Sequence, residues 1–220
     1  MGLWFVIGGI LPYLALLVGV GGLISRILRW ARAPQHLHWE LFPYPSTPAG
    51  QTGELLAEVF TLRSLYSYNL RFWLPSLTMH YGIYLVILWM GLSALGVRDT
   101  AVAGAAGGVL AVAGAAALVV IRAARRETRQ ITAPVEYLNL ALVMAIGLSG
   151  LITGWFLQPE AFRRYVIGLA SFSPVLPAAE QLAPILFLEV FLLYLPFSRM
   201  AHFAAKYFTY HKVKWGEMAR

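Results

Sequence analysis

The chain contains no cysteine. Disulfides, thiolate metal sites, iron–sulfur ligation and covalent c-type haem attachment are therefore excluded for these residues. A redox centre here must use His, Met or carboxylate ligands, or be held without a covalent bond. Charge is scarce as well. Only 12% of residues are charged, about half of the ~25% found in soluble domains. Acidic residues are the scarcer kind, 10 against 17 Lys and Arg, for a net charge of +7. The basic residues flank apolar runs and form no patch on a soluble fold, so no nucleic acid is expected as a partner. No internal repeat is present, which disfavours an inverted-repeat transporter.

What fills the chain instead is apolar. Of its 220 residues 59% are hydrophobic, and the mean hydropathy is +0.67. Five apolar runs are long enough to cross a bilayer core about 30 Å thick. They are Leu3–Ile24, Leu74–Leu95, Ala101–Ile121, Val135–Phe156 and Leu182–Phe203. The first reads as a spanning helix and not as a signal peptide. It lacks a basic n-region, and Arg26, Arg29 and Arg32 follow it as a stop-transfer signal. The expected fold class is an all-α membrane protein, a bundle of five transmembrane helices forming one domain over residues 1–220.

Lys and Arg alternate between heavy and light connections. Arg26, Arg29, Arg32, Arg63 and Arg71 follow the first run, and only Arg98 follows the second, beside Asp99. Arg122, Arg125, Arg126 and Arg129 follow the third; Arg163 and Arg164, near Glu160, follow the fourth. The tail carries Lys206, Lys212, Lys214 and Arg220, with Arg199 near the membrane end of the last run. The positive-inside rule then places the N-terminus outside and the C-terminus in the cytoplasm of a multi-pass cell inner membrane protein.

Residues 26–73 form the longest connection, on the cytoplasmic side. Pro43 and Pro45 interrupt helix there, and Glu54 to Asn69 is expected to be one amphipathic helix on the inner membrane surface. Leu55, Leu56, Val59, Leu62 and Tyr66 would form its apolar face. Gly104 and Gly108, and Gly150 and Gly154, are each four apart and are read as helix-packing positions. Residues 204–220 form a basic aromatic tail, suited to docking an enzyme or lying on lipid.

Of five histidines, His36, His38, His80, His202 and His211, only His80 and His202 fall inside apolar runs. An ionisable residue there is a functional hypothesis by default. His80 lies roughly 9 Å into its helix from the cytoplasmic end, and His202 roughly 30 Å along a helix that enters from outside. Both sit towards the cytoplasmic leaflet, on different helices. That geometry suits two axial ligands of one haem iron. Capping or hydrogen bonding within the bundle is the other reading, and residue chemistry leaves both open. Zinc is disfavoured, since it takes three or four protein ligands and Glu189, the one carboxylate inside an apolar run, lies about 20 Å from His202 along the helix. Arg199 and Arg71 are candidates to pair with haem propionates. Pro196 is expected to kink the fifth helix by removing a hydrogen bond to Leu192.

The end of the fifth run, Pro196-Phe-Ser-Arg-Met-Ala-His202, resembles the Pro-Phe-Ser-Arg-x-x-His helix end of the respiratory nitrate reductase gamma-subunit family. That family includes membrane cytochromes of sulfite-reductase-associated and heterodisulfide-reductase-like complexes. Met79-His-Tyr-Gly-Ile-Tyr-Leu85 is similar to its His-x-Gly-Ile helix start. His38-Trp-Glu-Leu-Phe-Pro-Tyr-Pro45 resembles the Trp-Glu-Leu-Tyr-Pro motif of the members paired with Fe–S subunits, and Pro134-Val-Glu-Tyr-Leu-Asn139 the start of its fourth helix.

The resemblance implies a membrane cytochrome b passing electrons between quinone and a cytoplasmic Fe–S subunit, heterodisulfide-reductase-like or nitrate-reductase-beta-like. It implies His80 and His202 as ligands of the haem nearer the cytoplasm. The ligands of an outer haem would fall at Met90 and Pro184. Proline cannot ligate iron, so one haem b is expected. Glu136, His36 and His38 are weak candidates for quinone contacts, and Tyr81, Tyr84 and Trp89 read as packing or interface anchors. The alternative of a different class is a haem-free membrane anchor that docks a cytoplasmic enzyme.

Overall fold

The computed structural model describes residues 2–33, 45 and 47–214. His36 and His38 lie outside the described residues, as do Trp39 and most of the motif that follows it. No strand is present among the described residues. The main helices among the described residues are α1 (Leu3–Arg32), α2 (Pro48–Thr61), α3 (Arg63–Tyr68), α4 (Leu70–Ala94), α5 (Ala101–Ala124), α6 (Arg126–Ile131), α7 (Pro134–Ile152), α8 (Pro159–Ala170), α9 (Leu182–Tyr194) and α10 (His202–Phe208). Helices α1, α4, α5 and α7, with the segment Ala179–Phe197 around α9, are long and apolar enough to cross a membrane. The five expected spans are therefore borne out, with some shifted ends. Their outward side chains are apolar, including Leu17, Val102 and Ile152, each more than 70% exposed. In lipid such exposure carries no penalty.

Small residues decide how closely these helices pack. Gly82 of α4 lies directly on the backbone of Ala111 in α5, and Gly114 lies on the backbone of Met79. A Cβ at Gly107 would stand 2.8 Å from the Val86 amide nitrogen. The expected pair Gly104 and Gly108 serves differently. These two make room for the Trp89 and Phe156 rings. Gly154, expected in the same role, has a φ of +67° with open space around it, so it ends α7 as a turn residue.

Two apolar cores result. One gathers Trp89, Trp155, Phe156, Phe162, Tyr165 and Ile185, with Met90 packed against it. The other centres on Ala111, Ala115, Leu118, Leu140 and Val143, with Met79 and Met200 packed against it.

Two expectations are corrected. The predicted amphipathic helix Glu54–Asn69 is two helices, divided at Leu62 in the left-handed region (φ 50°). Its buried residue in α2 is Glu58, while Leu56 and Tyr66 of the expected apolar face are exposed. The fifth run is also not one helix to Phe203. Helix α9 stops at Tyr194, a 3-10 turn covers Leu195–Phe197, and Ser198 is extended before a second 3-10 turn at Arg199–Ala201. Pro196 thus breaks the helix where a kink was expected, because it withdraws a backbone donor and crowds the preceding turn. The Arg26 guanidinium satisfies the carbonyls exposed at the break, donating to Pro196 O at 2.9 Å and Ser198 O at 2.7 Å. Broken helices persist at membrane depth when neighbouring groups satisfy the freed backbone in this way.

The candidate haem-binding pair

The break turns His202 into the first residue of α10. Its approach to His80 therefore follows from the turns after α9 and not from a continuous helical rise. The two rings nevertheless meet. Their centroids are 6.0 Å apart and their planes 78° from parallel. His80 is half-buried and His202 exposed. Met79 and Met200, their near neighbours in sequence, both pack on the α5–α7 core, which holds the two elements against the same support.

Each ring is oriented by its own backbone. The Nδ1 of His80 lies 2.7 Å from Ser76 O, and the Nδ1 of His202 lies 3.2 Å from Arg199 O. A carbonyl can only accept, so each Nδ1 carries the proton and donates it. In the neutral form of each ring this leaves Nε2 with the lone pair. A metal-ligating His has this arrangement, with the second nitrogen donating to a carbonyl or carboxylate.

The spacing fits a haem iron. Two iron–nitrogen bonds of about 2 Å, each continued about 1 Å to the ring centre, would separate the centroids by about 6 Å. Among the described residues no group of three or more His, Asp or Glu is placed to hold a metal ion. Two nitrogen ligands suit an iron whose other four positions a porphyrin supplies.

The other predicted site residues fall as follows. Arg199, three residues before His202, points its exposed guanidinium at Glu136, with 3.1 Å between Nη1 and Oε1. Arg122 also approaches Glu136, at 3.9 Å. Two expected site residues from distant runs are thus joined to each other. Arg71 is exposed in the first turn of α4. The Tyr84 ring stands edge-on to His80 with centroids 6.2 Å apart, and the Tyr81 ring lies tilted 5.9 Å from that of Tyr84.

On the opposite end of the bundle, the positions of an outer haem's ligands are enclosed by packing. Met90 lies against a cluster in which the Trp89 ring stands 5.0 Å from Trp155, 5.4 Å from Phe156 and 5.0 Å from Phe162. Pro184 is fully buried.

Sequence reasoning missed several polar ties. Lys206 Nζ donates to Glu58 Oε1 at 2.9 Å, and Lys212 Nζ donates to the carbonyls of Trp30, Ala31 and Ala33 at the end of α1. The basic tail is therefore docked on α1 and α2 as far as Lys212. A Glu on the helix face that also carries Leu55 and Leu62 was the one signal available for Glu58. The Lys212 contacts follow the usual preference of cations for helix C-termini.

No protein-family model matches the chain, and no solved structure matches it. Among curated proteins it is similar to the Hdr-like menaquinol oxidoreductase cytochrome b-like subunit of Archaeoglobus fulgidus. The two are 26% identical over 260 residues, covering 93% of this chain and 78% of that one. The name supports the heterodisulfide-reductase-associated branch of the resemblance and says nothing of nitrate reductase.

Proposed function

We propose that this multi-pass membrane protein binds one haem b and carries electrons between the quinone pool and a cytoplasmic Fe–S subunit of the heterodisulfide-reductase-like kind. The observation that carries the reading is the His80–His202 pair: 6.0 Å between rings, with both Nδ1 atoms committed to backbone carbonyls. The relative's name, a cytochrome b-like subunit of a menaquinol oxidoreductase, supports the same role. Loop charges support an inner-membrane orientation with the N-terminus outside and the C-terminus in the cytoplasm.

When bound, the haem supplies one-electron transfer at iron. The chain's own residues hold and tune it. His80 and His202 present Nε2, and Ser76 O and Arg199 O keep each ring from turning and raise its basicity. Arg199 and Arg71 are the propionate partners. Arg199 would divide its donors between Glu136 and a propionate, which its fork of N–H groups permits. Glu136, at the start of α7, is the weaker candidate for a quinone contact. The aromatic cluster around Met90 and the burial of Pro184 support a single haem.

A reduced-minus-oxidised absorption spectrum of the purified protein tests the reading. Bands of a b-type haem at one per chain are expected. Their absence would leave the haem-free anchor, which the exposed apolar side chain of Leu56 on α2 favours. Two haems per chain would overturn the single-haem assignment alone.

A further inference from the structure

The candidate ligands come from elements more than a hundred residues apart, yet each is followed by a tether to the same place. Four residues after His80, Tyr84 Oη donates to Val59 O at 3.0 Å. Four residues after His202, Lys206 Nζ donates to Glu58 Oε1 at 2.9 Å. Glu58 and Val59 are adjacent in α2. Residues four apart lie one turn apart on one helix face, so on each element the tether and the ligand project to the same side.

The anchor point in α2 is built from several contacts. Glu58 is 6% exposed, and its second oxygen accepts from both the amide and the hydroxyl of Ser64 at 2.8 Å. Those two bonds depend on Leu62, whose left-handed backbone starts a new helix and returns Ser64 to the carboxylate. Phe60 packs edge-on against Tyr84 with centroids 6.0 Å apart, and Trp73 Nε1 donates to Thr61 O at 2.8 Å. Besides the apolar side chains it turns outward, this helix buries a carboxylate and commits it to the element that carries His202.

We propose that Glu58 and Tyr84 are positioning residues, and that α2 is a strap fixing the spacing and the ring angle of His80 and His202 from outside the bundle. The proposal rests on the reading of that pair as haem ligands. Neither residue touches the iron site. Each acts one helical turn away, through the rigidity of its own helix. Losing a tether leaves both ligands present and lets their elements shift relative to one another.

The test uses the full chain, purified with its haem, as wild type and as Glu58→Gln, Tyr84→Phe and the double variant. Haem per chain, the largest g value of the ferric EPR signal, and the rate of haem transfer to an excess of apomyoglobin are measured. The variants should keep one haem per chain, shift that g value, and lose haem about tenfold faster, as expected for a lost charged or buried hydrogen bond. The double variant should show coupling, not independent effects, because both tethers act through α2. Glu58→Asp should recover part of the wild-type signal. Unchanged g values and transfer rates in all variants would overturn the strap. Should Glu58→Gln fail to fold, Tyr84→Phe, which deletes one hydroxyl, decides the question alone. His80→Ala and His202→Ala separate the two levels. If they abolish haem while the tether variants behave as wild type, only the strap falls. A wild-type chain without haem overturns both.

Discussion

The imidazole ring centroids of His80 and His202 lie 6.0 Å apart with their planes 78° from parallel. A ferric haem held by both rings at this angle would give a strongly anisotropic low-spin EPR signal with one large g value. That signal is the expected outcome. His80→Ala or His202→Ala should abolish the b-type spectrum, whereas Met90→Leu should leave it intact. Haem retained at full content in either His variant would show that the ligands are elsewhere.

Arg26 closes the break in the fifth span with two bonds to Pro196 O and Ser198 O. Removing it leaves carbonyls at membrane depth without a donor. Arg26→Ala should lower stability in detergent by about 1.5–3 kcal/mol, the range for hydrogen bonds to charged groups. Thermal unfolding followed by circular dichroism checks this, and Arg26→Lys should recover part of the loss.

Helix α4 meets α5 through glycine. Gly82→Ala places a methyl on the Ala111 backbone and should destabilise by about 1–3 kcal/mol or more through overpacking. Gly91, in the same helix, has nothing within 4 Å of its would-be Cβ. Gly91→Ala should gain about 0.5–1 kcal/mol from helix propensity. Equal effects of the two changes would contradict this account of the interface.

The Glu58 tie has a pH signature. Burial pushes the carboxyl up, but the Lys206 ammonium and the Ser64 amide and hydroxyl outweigh it, leaving the group below its ordinary 4.5. A carboxyl lowered in the folded state contributes stability that is complete above the unfolded value. That contribution is lost as the pH falls through the folded value. Unfolding midpoints should therefore fall below about pH 4.5 in the wild type, and this acid limb should be shallower in Glu58→Gln. Parallel acid limbs would count against the tie.

Glu189 is 3% exposed, and neither carboxyl oxygen has a hydrogen-bond partner among the described residues. A buried polar group without partners costs stability. Glu189→Leu should therefore stabilise the detergent-solubilised protein by about 1–3 kcal/mol. A fall in the unfolding midpoint would mean that the carboxyl does hold a partner in the membrane.

Sequence by itself determined the five spans. Hydropathy and helix length are local quantities, and lipid demands that each spanning segment satisfy its own backbone. It also singled out His80 and His202, because imidazoles are costly inside apolar runs. Tertiary structure decided what depends on partners far away in the chain. Pro196 announced a disturbance, but only Arg26, 170 residues earlier, allows it to become a full break. Gly104 and Gly154 carried the same spacing signal as genuine packing glycines, and only their neighbours show that one faces an indole and the other ends a helix. The face of α2 was legible as amphipathic, yet which side turns inward was set by Lys206, Ser64 and Tyr84, through one buried carboxylate. Matched depth along the two apolar runs predicted the histidines at one end of the bundle. Their 6.0 Å separation belongs to the fold, because it depends on a break, a turn and supports from three other helices.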